Sequence, residues 1–199
     1  MSIRNLLELF KSLPGCLVLF SLLIFLPANF ISSEAMAQRS SLRAYIIKAG
    51  FIYNFTRFIK WPSRSNSYEK NHKYNICVVG DNPFGSILNR LEKKHRHKEN
   101  PLEITLDVPQ GDYQGCQILF VSVSEQYNIE KIVEQTKGFP ILTVGDTEGF
   151  AGRGIDINIL IVENRVKLEI NKECLDAKKF KASSELLDLA SIVQGGDCQ

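Results

Sequence analysis

The side chains with the most specific chemistry in this chain are its five cysteines and three histidines. Cys16 lies in an apolar N-terminal stretch, whereas Cys77, Cys116, Cys174 and Cys198 are spread through the rest. No Cys-x-x-Cys and no Cys/His cluster at zinc spacing occurs, so no metal site is assigned. The distant cysteines suit disulfides in an oxidising compartment, but their spacing alone does not choose a pairing. His95-Arg96-His97 falls in the basic run Lys93 to Lys98. Alternate histidines can bind a metal, but such a run reads first as a solvated face able to dock an acidic patch. Gly80-Asp81-Asn82-Pro83-Phe84-Gly85 would place backbone N–H groups at a helix start, where an anion can sit. Ordinary capping chemistry accounts for the same residues. Asn54-Phe55-Thr56 matches a glycosylation sequon but falls inside a predicted helix. G-x-S-x-G, Walker A, H-E-x-x-H and G-x-G-x-x-G are all missing, so no catalytic residue and no cofactor is assigned.

Composition narrows the class. The 199 residues carry 24 Lys+Arg and 22 Asp+Glu, a net charge of +2, with 44% apolar and 23% charged residues. That is globular composition, and it lacks the basic excess of a nucleic-acid binder. Residues 1–37 read as a secretory signal peptide. Arg4 and Lys11 precede the run Leu17 to Leu26, Pro27 closes it, and Ala35-Met36-Ala37 offers a small-x-small cleavage site before Gln38. An uncleaved anchor is the alternative, because Ser12 to Ser33 carries no charge. Leu13-Pro14-Gly15-Cys16 resembles a lipoprotein box but stands before the apolar run. Residues 38–199 then form the mature domain.

The elements that must position these residues follow from periodicity. A helix is predicted from about Ser40 to Lys60, ended by Trp61-Pro62. One face carries Leu42, Tyr45, Ile46, Ala49, Ile52, Tyr53 and Ile59, and the other Ala44, Ile47, Phe51, Phe55 and Phe58. Lys48, Asn54, Arg57 and Lys60 interrupt the ring. A surface helix needs one apolar stripe; two mean that it is sandwiched in the core or that one stripe meets another chain. After a polar loop, Ser63 to Lys73, strands are expected at Tyr74–Gly80, Leu102–Val108, Gln117–Val123 and Pro140–Val144. Helices are expected from Asn82 to Lys94 and from a capping box at Ser122–Glu125 to Lys137. Ile155–Val162 and Arg165–Ile170 flank a hairpin turn at Glu163-Asn164. Ser183–Val193 reads as a helix. The sum is a single α/β domain: three layers around a mostly parallel sheet with an antiparallel edge hairpin.

On this frame Cys77 lies mid-strand and Cys116 leads into a second core strand. Neighbouring parallel strands would bring them within bonding range. The bridge would close a loop of about 40 residues, worth roughly 4 kcal/mol in the chain-entropy model. Cys174 and Cys198 can pair only if the tail folds back.

Lys48-Ala49, Phe51-Ile52-Tyr53-Asn54-Phe55, Trp61-Pro62, Cys77-Val78-Val79-Gly80, Pro83-Phe84-Gly85, Cys116, Leu119-Phe120-Val121-Ser122, Leu142-Thr143-Val144 with Asp146, Asn164-Arg165-Val166 and Leu186-Leu187 come in a characteristic order. In this the sequence resembles the YfiR (HmsC-like) family of secreted bacterial regulators, over about Leu42 to Val193. The resemblance implies a periplasmic, non-catalytic, dimeric protein that represses an inner-membrane diguanylate cyclase by binding its periplasmic domain, lowering cyclic-di-GMP and biofilm output. It implies no cofactor, no nucleic acid and no membrane insertion after cleavage. Cys77 and Cys116 match one family cysteine pair. A second family pair has no counterpart, because Phe150 to Val166 contains no cysteine, and Cys174 and Cys198 match no family position.

The expected function is therefore binding, with Phe51, Phe55, Phe58 and Trp61 as partner-binding aromatics. The alternative is a periplasmic small-molecule sensor feeding a histidine kinase, with the Gly80–Gly85 turn and the Gly149–Gly154 loop shaping a pocket at strand ends. A hydrolase comes last, for want of any base and nucleophile at workable spacing.

Overall fold

A computed structural model describes residues 28–62, 73–97 and 101–198, with side chains from residue 38 onward. The expected leader, residues 1–37, lies outside the described residues save for helical backbone over 28–37, and so does the polar loop over 63–72. The chain divides into two units at Arg43/Ala44. In the first, the helix α1 (Ala28–Phe58) begins, and the Ser41 hydroxyl donates to the Gln38 carbonyl. No helix among the described residues is long and apolar enough to cross a membrane.

The second unit holds the sheet. Its strands are β2 (Tyr74–Val79), β3 (Leu102–Thr105), β4 (Ile118–Val121), β5 (Leu142–Gly145), β6 (Ile157–Val162), β7 (Arg165–Asn171) and β9 (Ala190–Val193), in the order β3-β2-β4-β5-β6-β7-β9. A small separate sheet pairs β1 (Ile59–Lys60) with β8 (Lys181–Ala182). The pairs from β3 through β6 are parallel, β6 and β7 are antiparallel, and β7 and β9 are parallel. Every residue of β4 and β5 is buried, as expected of parallel strands covered on both faces.

Alternation along the strands sends side chains into two cores. Ile76, Val78, Ile118, Phe120, Leu142 and Val144 face α1 and α2 (Ile87–His95). Cys77, Val79, Leu119 and Val121 face α3 (Ile129–Thr136) and the loop that carries Tyr113. The chain crosses from β2 to β3 through α2 and from β4 to β5 through α3, in opposite directions along the sheet and on opposite faces. Right-handed crossovers require that arrangement once strand order reverses. The result is the expected three-layer α/β domain.

Three local expectations need correction, and one helix was not expected. Asn82 does not start a helix: its Oδ1 accepts from the Phe84 N–H at 3.0 Å, and Gly85 at φ +52° delays α2 to Ile87. Ser122 makes no side-chain cap. A 3-10 turn over Val123–Glu125 follows it, α3 begins only at Ile129, and Glu125 instead accepts from Gln110 and Asn128. The tail is helical only in α5 (Ser184–Asp188), with Ser183 capping Leu186; β9 then lies outside the hairpin, parallel to β7. A short helix, α4 (Lys172–Ala177), had no signal in the pattern; Asn171 caps it by accepting from the Cys174 N–H.

Candidate functional site

The aromatic stripe of α1 meets the tail. Phe55 is wholly buried and belongs to the core, while Phe51 and Phe58 are half-buried on either side of it. Together with Asn54, Leu186 and Leu189 they line a small apolar hollow between α1 and α5. Leu189 is 72% exposed at the rim. Phe55 therefore braces this surface from beneath and has no area of its own to offer. Ile47, on the same stripe, is exposed. Trp61 sits apart, edge-on to Tyr74 at 5.0 Å and to Phe180 at 5.4 Å. Both stripes of the helix are thus packed from Ala49 onward, which a two-striped helix anticipates.

A buried polar cluster lies one turn earlier, and sequence reasoning missed it. Lys48 and Asp146 form an ion pair at 2.8 Å with side chains 8% and 5% exposed. Asp146 stands just past the C-terminal end of β5, and the Tyr45 hydroxyl bonds to it while the Lys48 ammonium lies 4.6 Å from the Tyr45 ring centre. Burial first, and then the Asp146 charge and hydrogen bond, push the Tyr45 phenol above its ordinary value. Tyr45 and Lys48 on the helix thus converge on Asp146 at the strand end, a clasp between α1 and the sheet. The one available signal was a lysine set between two apolar stripes, since a buried ammonium demands a partner.

A second buried pair joins α4 to the sheet. Asp156 Oδ2 accepts from Lys178 Nζ at 2.7 Å, from the Thr143 N–H at 2.7 Å and from the Thr143 hydroxyl at 2.8 Å. Arg153 donates to both oxygens of Glu130, at 2.7 and 2.8 Å, and to the Gln126 carbonyl. Those bonds hold the Glu130 carboxyl below its usual range.

The two glycine loops at the strand ends are filled by the chain itself. Asp81 N–H donates to Ser124 Oγ at 2.9 Å, and a Cβ on Gly80, at φ +81°, would collide with Ser124 and Glu125. The switch point between β2 and β4 is therefore closed by a hydroxyl. Gly149–Gly154 forms a 3-10 turn over Ala151–Arg153, against which the chain end packs. His95 packs on Tyr53 with ring centres 3.9 Å apart and the rings tilted by 42°, and Thr56 of the sequon turns its hydroxyl to the Tyr53 carbonyl.

Both disulfides are present. Cys77 bonds to Cys116 with Cα atoms 5.7 Å apart, and Cys174 to Cys198 at 4.8 Å. The first joins β2 to the loop leading into β4 and lies in the α3-side core. The second shows that the tail folds back.

No curated protein matches the chain. Among solved structures, it is similar to the ABC domain from Streptococcus pneumoniae in complex with L-Trp, at 10% identity and TM-score 0.45, covering 61% of this chain and 54% of that one. It is also similar to a conserved domain protein from Vibrio cholerae O1 biovar El Tor, at 12% identity and TM-score 0.45, covering 63% and 55%. The chain spans just over half the length of each. A family model described as YfiR/HmsC-like matches residues 45–191, a span that opens on Tyr45 of the clasp and takes in the Cys77–Cys116 bridge and the first residues of β9. The chain belongs to the YfiR/HmsC-like family.

Proposed function

We propose that this chain, after removal of residues 1–37, binds the periplasmic domain of an inner-membrane diguanylate cyclase and represses it, lowering cyclic-di-GMP and biofilm output. The family match over residues 45–191 carries this reading. The two disulfides support it, because they suit an oxidising compartment. The buried ion pairs Lys48–Asp146 and Lys178–Asp156 fit it as well, because each ties a helix to the sheet. The working part is then a surface. Phe51 and Phe58, with Leu189 at the rim, present apolar anchors on a braced helix, as interface centres commonly do. Trp61 extends the aromatic set at the end of α1, and a dimer is part of the same proposal.

The test is made in cells and on membranes. Deleting the gene should raise cyclic-di-GMP, and the wild-type chain should restore it and capture a cyclase from solubilised inner membranes. Leu189→Asp changes an exposed position, so it should alter stability by no more than about 0.5 kcal/mol. It should nevertheless fail in both restoration and capture. A Leu189→Asp chain that restores repression removes the hollow from the interface, and unchanged cyclic-di-GMP on deletion removes the function. N-terminal sequencing of the periplasmic protein should begin at Gln38.

A further inference from the structure

After β9 the chain turns back and seats two glycines on the Gly149–Gly154 loop. A Cβ built on Gly195 would stand 2.5 Å from the Gly152 carbonyl oxygen, and one on Gly196 would stand 2.5 Å from the Gly154 nitrogen. No side chain tolerates such approaches, so backbone lies directly on backbone. Both glycines have positive φ, +122° and +79°, which glycine adopts without steric cost. Asn171, fully buried, ties the layers by donating from Nδ2 to the Ala151 carbonyl at 2.9 Å and to the Gly195 carbonyl at 2.6 Å. Lys137 and Asp197 approach to 3.5 Å, but Asp197 is 85% exposed and the pair adds little. The remaining tie is covalent: Cys198 to Cys174, near the start of α4. Residues 194–198 form a strap, and they lie beyond the residues that the family model matches.

The two disulfides differ in access. Cys77 and Cys116 are 1% and 3% exposed, within the core that also holds Val108 and Tyr113. Cys174 is fully buried, but Cys198 is only half-buried and lines an open surface hollow with Glu173, Gly196 and Asp197. Exchange begins at the sulfur that a thiolate can reach.

We propose that Cys174–Cys198 is a redox-modification site, attacked at Cys198 by a small dithiol, and that its reduction frees the strap from Gly152–Gly154. The attacking thiolate bonds to Cys198 Sγ, the bond between the two cysteines breaks, and Cys174 leaves as a thiolate and takes up a proton. The second thiol of the reductant then attacks its own bonded sulfur and expels Cys198, which is protonated in turn. The protein gains two electrons and two protons, and the dithiol becomes a disulfide. Cys77–Cys116 stays oxidised, so the sheet stays braced while the glycine seat becomes bare surface.

Glu173 and Asp197 beside Cys198 disfavour an anionic reductant, so neutral dithiothreitol is the probe. The oxidised full chain is treated under native conditions, quenched in acid, alkylated and read by mass spectrometry, with hydrogen exchange followed in parallel. Cys174 and Cys198 should become labelled at least about tenfold faster than Cys77 and Cys116. Deuterium uptake should rise together in residues 149–155 and 194–198. Cys198→Ser should show the raised uptake without reductant. Gly196→Val, which cannot seat, should show it while the disulfide is intact. Reduction of both disulfides at one rate, or reduction without added uptake at residues 149–155, overturns the proposal. A Cys198→Ser chain as protected as the oxidised protein overturns it too.

Discussion

Lys48 and Asp146 are expensive residues in cheap-looking positions. Each charge has left water for a site less than a tenth exposed, and each is tolerable there only because the other is present. Asp146→Asn would leave a buried ammonium without its counter-charge and should cost about 3–5 kcal/mol, read from the midpoint of urea unfolding. The double variant Lys48→Met with Asp146→Asn should recover much of that loss, since no charge is then stranded. The tyrosines around the core give a pH test. Tyr45, Tyr74 and Tyr113 are all pushed above their ordinary value, with burial the first cause in each. A raised folded-state value means that the stability they contribute is complete below the unfolded tyrosine range and is lost as pH climbs through the folded one. Phenolate absorbance in the native protein should therefore appear late, and unfolding should accompany it in alkali. At this scale the cysteines were legible and the clasp was not. Widely spaced cysteines after a leader-like stretch announce their chemistry by type, and the strand pattern set Cys77 beside Cys116. The partner of Lys48 lies 98 residues away, and nothing local points to it.

Turns and strand ends set the elements. Glu163 and Asn164 both have positive φ, +50° and +59°, as a two-residue hairpin turn with a right-handed strand twist demands. Asn accepts that conformation and Glu does so at a cost, so Glu163→Gly should raise stability by about 0.5–1 kcal/mol in thermal unfolding. Gly80 is the opposite case. Gly80→Ala should cost at least about 2 kcal/mol, because strain at φ +81° adds to the collision with Ser124. Central strands such as β4 were readable because double-sided burial makes them apolar throughout, as in Ile118-Leu119-Phe120-Val121. The tail was not. Leu186, Leu187, Leu189, Ala190 and Val193 keep a helical rhythm, yet only Ser184–Asp188 is helical. Ala190–Val193 pairs with Leu168–Asn171, and that ladder is invisible to any local rule. The same blindness hid the α1–α5 hollow, since its far wall comes from this tail.

Across the molecule, one sheet separates two cores of unequal kind. The α1 side is broad and aromatic, and truncating its centre with Phe55→Ala should cost about 3–5 kcal/mol with loss of the folded baseline in near-ultraviolet circular dichroism. The α3 side is smaller and contains the Cys77–Cys116 bridge. That bridge fastens β2, where the order of strands reverses, to the approach of β4 across 39 residues. Parallel neighbours are the slow part of such an architecture, because a long loop must close before any ladder bond rewards it. In an oxidised chain the closure is already made. Diluted from denaturant, the oxidised protein should regain its native signal faster than the reduced one, and the acceleration should vanish in Cys77→Ser while surviving in Cys198→Ser. The moment at which this bond forms therefore sets the tempo at which the protein matures, besides its endurance afterwards.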